Sequence, residues 1–280
     1  MLQIACGGAI GMMEQGEGAM RLGMIGCGAI GREVLAAWQA GTLGPGIELA
    51  AVLVRRPRAE PLLTAEPERF LAQQLDAVLE CAGHAAVREH GARCLEAGAD
   101  LVLTSIGALT DEALRAELYH AAEAAGRRLV IAAAGIGALD ILSAAAVGGL
   151  ERVAMTVRKD PSAWYGTAAE ELCDLATLAQ PLTLFRGSVR DGAARYPQNV
   201  NISAAVALAG LGLDRTELTI VADPTITTHI VTIEAEGAFG RFSFIEEVVP
   251  TADNPKTGRL VAMAVIKTIR QLASPVVIGA

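Results

Sequence analysis

The chain predicts an α/β protein, with an N-terminal doubly wound parallel sheet followed by a second α+β domain whose sheet is largely antiparallel. Three observations carry this expectation. From Arg21 onward short apolar runs alternate with longer helical stretches, as a parallel sheet requires, because parallel neighbours are joined by long return paths. A glycine-rich turn separates the first apolar run from the first helical stretch. After about Gly135 the texture changes to β-type runs joined by turn residues, which signals a second sheet.

In order, the predicted strands of the first half cover residues 21–25, 48–54, 77–81, 101–104 and 129–133. The helices between them cover 32–39, 85–97 and 111–125, and Thr110, followed by two acids, reads as the N-cap of the last. In the second half a helix is expected at 138–146, a strand at 153–158 and a long helical region through 165–178. Strands follow at 183–185, 218–222, 229–235 and 240–249, with Glu236-Gly237 as the hairpin turn. A final helix over 258–272 follows Pro255. The expected division is a poorly ordered extension at 1–19, a dinucleotide-binding domain at 20–135, a catalytic and dimerisation domain at 136–252, and at 253–280 a helix returning to the first domain.

Composition narrows the class. The 280 residues include 19% charged and 52% apolar side chains, yet no run approaches the roughly 20 apolar residues of a membrane helix. A formal charge of -8 disfavours nucleic acid and anionic membranes as partners. Five cysteines lie scattered, without a C-x-x-C pair or a Cys/His cluster at zinc spacing, so reduced thiols in a cytoplasm and no metal are expected. Residues 1–19 lack a basic opening and carry Glu14 and Glu17, unlike a signal peptide, and a natural start near Met20 is expected.

The turn Gly26-Cys27-Gly28-Ala29-Ile30-Gly31 is a G-x-G-x-x-G motif between strand and helix, the phosphate-binding signature of a Rossmann domain. Gly26 permits the tight turn, Gly28 close approach of backbone to pyrophosphate, and Gly31 close helix packing, while Ala29 and Ile30 open the helix whose N–H groups face the phosphates. The second strand ends in Arg55-Arg56 where NAD enzymes place an acid. These cations either attract the 2′-phosphate of NADP, so that NADP is accepted at least as well as NAD, or are solvated loop residues. Cys81 and Ala82, at the end of the third strand, border the same crevice. His84 reads as a polar contact on the cofactor side or, less simply, a catalytic group; His90 and His120 read as surface residues.

Four stretches in the second half resemble the L-aspartate dehydrogenase family. They are Ala134-Gly135-Ile136-Gly137-Ala138-Leu139-Asp140; Arg158-Lys159, although Asp160 replaces an expected proline; Tyr196-Pro197-Gln198-Asn199-Val200-Asn201 with Ala207-Leu208-Ala209-Gly210; and Ala222-Asp223-Pro224 with His229 and Asn254-Pro255-Lys256-Thr257-Gly258. The resemblance implies an NAD(P)-dependent enzyme that deaminates L-aspartate to oxaloacetate and ammonia through iminoaspartate. It also implies a homodimer and a link to pyridine nucleotide biosynthesis. By it, His229 takes the active-site histidine position, while Asn199 and the Ala133 to Gly135 turn take cofactor positions, with Asn199 also near substrate.

The residue chemistry points the same way. Oxidising an amine needs a proton acceptor and an activated water, and one imidazole near neutrality serves both. His229 is the histidine of the second half, with a hydrogen-bonded sheet-edge histidine as the plainer alternative. A dicarboxylate needs a cation, for which Lys159 and Lys256 are the candidates. A homoserine dehydrogenase or dihydrodipicolinate reductase type enzyme, and a non-catalytic NAD(P)-binding sensor, are the competing functions.

Overall fold

A computed structural model describes residues 18–56, 61–133, 135–197, 200–251 and 254–279, with side chains excepted at 254–257. Its first half alternates β1 (Met20–Ile25), α1 (Ala29–Gln39), β2 (Ile47–Leu53), β3 (Leu63–Thr64), α2 (Pro67–Leu71), β4 (Ala77–Glu80), α3 (His84–Glu96), β5 (Asp100–Leu103), α4 (Glu112–Ala125) and β6 (Leu129–Ile131). All six strands are parallel, in the order β3-β2-β1-β4-β5-β6. Strand order reverses between β1 and β4, and the crevice at their carboxyl ends is where such sheets bind ligands. The strands read as unbroken apolar runs because helices cover both faces. Val87, Cys94 and Leu95 of α3 and Leu114 and Leu118 of α4 pack one face, and Val34 of α1 packs the other.

The second half continues with α5 (Leu139–Gly148), β7 (Leu150–Lys159), β8 (Leu182–Ser188), α6 (Val189–Arg195), α7 (Asn201–Ala209), β9 (Glu217–Ala222), β10 (His229–Gly237), β11 (Gly240–Val248), β12 (Pro250–Thr251), β13 (Asn254–Gly258) and α8 (Leu260–Ala273). Its main sheet runs β11-β10-β7-β9-β8, antiparallel except where β7 pairs with β9. Alternation is strict on β7: Val153, Met155 and Val157 point into the second core. Val231, Ile233 and Ala235 of β10 join them there, under Leu142 of α5, Val189 of α6, and Val206 and Ala207 of α7. Ala204 and Ala205 of α7 belong to the first core, so this one helix is buried against both sheets. Val265 and Ile269 bring α8 back against β1 and α1.

Several local expectations are corrected. The stretch 165–178 forms no α-helix, only short 3-10 turns at Pro161–Trp164 and Ala168–Glu171. Gly166 takes a positive φ of 71°, Thr167 Oγ1 accepts from the Ala169 amide at 3.2 Å, and Asp174 Oδ1 accepts from the Ala176 amide at 3.0 Å. Side chains thus capture amides that a continuous helix would use. Thr110 does not cap α4; its hydroxyl donates to the Gly107 carbonyl, and Asp111 accepts from the Ala113 and Leu114 amides instead. The hairpin turn is not Glu236-Gly237 but Ala238-Phe239, because Gly237 still pairs with Gly240. Gly237 is needed for close approach: a Cβ there would lie 2.3 Å from the Gly149 carbonyl oxygen.

Ile233 is wholly buried under the second sheet, whereas Val147 on α5 is 92% exposed. Ile233→Ala should lower the unfolding free energy by about 2–5 kcal/mol, and Val147→Ala should change it by less than about 0.5 kcal/mol, as read from urea denaturation.

Candidate active site

The glycine turn leaves β1 at the crevice. The Gly26 amide donates to the Leu53 carbonyl of β2 at 2.9 Å, and Gly26 takes a positive φ of 99°. A Cβ at Gly26 would meet Ala82 at 2.8 Å, and one at Gly31 would meet the Gly26 carbonyl oxygen at 2.6 Å. At Gly28, which precedes α1, a Cβ would meet nothing within 4 Å. Two glycines therefore let the turn close on itself, and the third leaves open space before a helix N-terminus that carries no side-chain cap. That space, lined by Gly28, Ala29 and Ile30, suits a pyrophosphate. Arg55 and Arg56 stand exposed just past the end of β2.

Next to the turn, Glu80 at the end of β4 is buried, and its carboxylate accepts from the Ala82 and Gly83 amides, both at 2.8 Å. The Ser105 amide, at 3.1 Å, and the Ser105 hydroxyl, at 2.9 Å, also donate to it. Two strand-end loops are thereby tied to one carboxylate. Cys81 lies under the turn, its thiol 3.4 Å from the Ile25 and Gly26 carbonyls. Burial, with Glu80 and Cys27 nearby, pushes the Cys81 thiol far up, so it remains protonated. His84, at the start of α3, faces the second half: its Nε2 lies 3.3 Å from Asn201 Oδ1, which also accepts from the Gly107 amide at 2.9 Å.

The second cluster lies at one end of the second sheet. His229 opens β10 and is buried, with Val248 of β11 as its ladder partner. Ile230 pairs with Arg158, so one further step of that register sets His229 opposite Lys159, the last residue of β7. Directly opposed side chains share a face with Cβ atoms about 4.5–5.5 Å apart. Lys159 is buried too, its Nζ 5.7 Å from the Trp164 ring centroid. The 223–228 loop that leads into His229 is held by Asp223, which is fully buried. Asp223 accepts from the Thr225 amide at 2.9 Å, the Thr225 hydroxyl at 2.6 Å and the Arg158 guanidinium. Burial pushes its carboxyl up, but these donors outweigh burial and hold it below the usual carboxylate range.

One residue of this face was not singled out from the sequence. Glu246 of β11 pairs with Val231 and is half-buried on the inner side, its Oε2 accepting from the Gly137 amide at 3.3 Å. Burial pushes its carboxyl up to about 7, against the lowering effect of that bond. The period-two pattern Phe242, Phe244, Glu246, Val248 holds the signal, since it puts an acid among inward-facing apolar positions.

A cavity of 590 Å³ opens between the start of α1 and the segment that leads from β11 into α8. Ala29, Ile30, Arg32 and Glu33 of α1 line one side, and Val249 to Thr251, Gly258, Arg259 and α8 the other. A Cβ on Gly258 would lie 4.0 Å from His229 Nδ1, which places the histidine just behind this wall. The crossover turn also meets α8. Ala133 O accepts from the Ile136 amide at 2.8 Å, and Gly135, at a positive φ of 83°, leaves no room for a Cβ, which would meet Val261 at 3.0 Å. Asn199 and the Lys256 side chain lie outside the described residues. Among the described residues no group of three His, Cys, Asp or Glu side chains is placed to hold a metal ion, and no helix is long and apolar enough to cross a membrane.

Comparison with known proteins accounts for both halves. Residues 26–132 match a family model described as homoserine dehydrogenase, NAD binding domain, and residues 140–272 match one described as aspartate dehydrogenase, C-terminal. The L-aspartate dehydrogenase of Ruegeria pomeroyi is 41% identical over 86% of this chain and 90% of that protein. That of Pseudomonas aeruginosa is 39% identical over 88% and 95%, respectively. Among solved structures, the aspartate dehydrogenase of Thermotoga maritima superposes with a TM-score of 0.73 at 22% identity, covering 92% of this chain and 99% of that one, and so shares the fold. With a dinucleotide turn, a histidine-bearing second sheet and relatives matched over most of their length, the chain belongs to the L-aspartate dehydrogenase family.

Proposed function

We propose that this chain is an NAD(P)-dependent L-aspartate dehydrogenase, converting L-aspartate reversibly to oxaloacetate and ammonia through iminoaspartate. The observation that carries this is the placement of buried Lys159 and His229 on adjacent strands at one end of the second sheet, with His229 just behind the Gly258 wall of a cavity whose other side is the start of α1. In this reading residues 20–135 bind the dinucleotide, 136–252 hold substrate and form the dimer contact, and 253–280 return to the first half. When bound, the nicotinamide ring supplies the acceptor for the hydride of the substrate Cα. Gly26, Gly28, Ala29, Ile30 and Gly31 hold the pyrophosphate, with Cys81 and Ala82 beneath that turn; Ala133, Gly135 and Asn199, the last outside the described residues, are the further cofactor candidates.

The rest of the chemistry falls to the chain's own side chains. Lys159 holds a substrate carboxylate; Lys256 and Asn199, which lie with their side chains outside the described residues, are the remaining candidates for substrate contact. Neutral His229 takes a proton from water as the water oxygen bonds to the imine carbon. It returns that proton to the nitrogen, and as the C–N bond breaks and ammonia leaves, the carbonyl C=O bond forms and the remaining hydroxyl proton passes to His229. The surrounding apolar face keeps bulk water from competing.

The assay is nicotinamide reduction with a panel of amino acids and both cofactors; oxidation of L-homoserine but not L-aspartate overturns the assignment. His229→Ala should lower turnover with L-aspartate by about 100- to 10,000-fold while cofactor affinity stays within a factor of about two. His84→Ala should affect the chemical step less, and the reverse pattern places the catalytic imidazole in the first half.

Arg55 and Arg56, exposed past the end of β2, support acceptance of NADP at least as well as NAD. Neutralising both should weaken NADP binding more than NAD binding in a direct titration. Equal losses mean that neither reads the 2′-phosphate. The outer face of the second sheet carries Ile230, Thr232 and a 66% exposed Ile245, which supports a homodimer formed through it. Sedimentation should show a dimer that Ile245→Arg weakens. Free thiols at Cys27, Cys81, Cys94 and Cys173 favour a reducing, cytoplasmic location.

A further inference from the structure

We infer that Glu246 is a second proton-handling residue of this site, binding the substrate's α-ammonium group and taking its proton, so that His229 is left to activate water. The inference deepens the aspartate dehydrogenase reading and rests on it. Deamination moves two protons in sequence: one leaves the ammonium before the Cα hydride can depart, and one leaves water as it adds to the imine. A single imidazole that takes the first must discharge it before taking the second.

The geometry provides a separate acceptor. His229 faces Val248 and Val231 faces Glu246, so Glu246 sits diagonally one step along the same inner face from His229. Diagonal neighbours on an antiparallel ladder are about 7–8 Å apart, enough for an amine between them. Lys159 stands on the opposite flank of His229, so the face presents a cation, an imidazole and a carboxyl in a row, a charge order that matches the carboxylate and ammonium ends of an amino dicarboxylate. Among the described residues, Glu246 accepts from the Gly137 amide through Oε2. The other charged groups near this end are Arg32 and Glu33 on α1 and Arg259 before α8, which line the cavity, and Lys256 on β13, whose side chain lies outside the described residues. Arg241 and Glu247 of β11 point to the outer side.

Burial sets a titration near neutrality, where a base must cycle between its two forms. The step balances: the N–H bond of the ammonium breaks, the proton passes to a Glu246 carboxylate oxygen, and the freed lone pair on nitrogen is left to form the C=N bond, for which a bound nicotinamide would supply the hydride acceptor. The sign for stability follows from the same shift. Burial raises the carboxyl from its ordinary range near 4.5 to about 7 on folding, so the neutral form's contribution is full below 4.5 and is lost as the pH rises toward 7.

The test is Glu246→Gln, which preserves an acceptor for the Gly137 amide and removes the titrating group. With L-aspartate, kcat/KM should fall about 100-fold or more, while the inhibition constant of succinate, the same dicarboxylate without an amine, stays within a factor of about two. The rising limb of the kcat/KM profile, which needs both Glu246 and His229 deprotonated, should lose one proton's worth of slope. Glu246→Asp, which retains a carboxyl, should recover part of the activity. From pH 4.5 to 7 the wild type should lose stability relative to Glu246→Gln. Activity of Glu246→Gln within threefold of wild type, or equal losses for aspartate and succinate, overturns the assignment and leaves Glu246 a structural tie to Gly137. A wild-type chain inactive on L-aspartate overturns the function itself, and this proposal with it.

Discussion

A buried carboxylate is tolerated only when its lone pairs are filled, and the satisfaction of Glu80 organises the whole crevice. Its donors come from two loops, Ala82-Gly83 after β4 and Ser105 after β5. The first loop carries Ala82, against which Gly26 is packed, and so fixes the floor of the phosphate turn. The second runs into the 3-10 turn at Ile106–Thr110, whose Gly107 amide binds Asn201 at the head of α7. One anion thus aligns the dinucleotide turn with the helix that leads to the second sheet. Each donor left without this acceptor would cost about 1–3 kcal/mol, more than any single apolar contact nearby.

The first sheet was legible because its signals are local and redundant. Five of its six strands are apolar runs, and the glycine turn sits where the strand order demands it; the two-residue edge strand β3 and the short helix α2 were too brief to leave a pattern. The family-like segments of the second half were legible as words without a grammar. They named Lys159 and His229 but not the ladder that puts them side by side, since register depends on pairing partners distant in sequence. Helix α7 escaped for a different reason. Its run Asn201–Ala209 has Ser203 through Ala207 all buried, so it offers no polar stripe and no 3.6-residue period. Glu246 was readable by period two, yet an acid in a strand suggests solvent until its face is known.

The second sheet shows how a loop is stiffened for a side chain that must be aimed. His229 opens its strand, where backbone is free to fray, and the preceding loop has proline and threonines rather than packing residues. Asp223 supplies the rigidity. It is fully buried, bonded to Thr225 within its own loop and to Arg158 on the neighbouring strand, and its amide donates to the Lys159 carbonyl at 2.9 Å. The charge that orders the histidine loop is therefore bonded to the strand that ends in Lys159. Arg158 is partly exposed and Asp223 is not, so the anchoring rests on the buried carboxylate, and the two candidate substrate contacts share it.

Helix α7, with Ala204 and Ala205 in one core and Val206 and Ala207 in the other, has a consequence for how the molecule comes apart. Two sheets joined only by linkers would melt as separate units, each with its own midpoint. Here neither core can be exposed without stripping a face of the same helix, so the loss of one leaves the other with an open wall. The two halves are thus coupled through α7, and unfolding of one core removes a wall of the other, which favours a single cooperative transition over two separate ones.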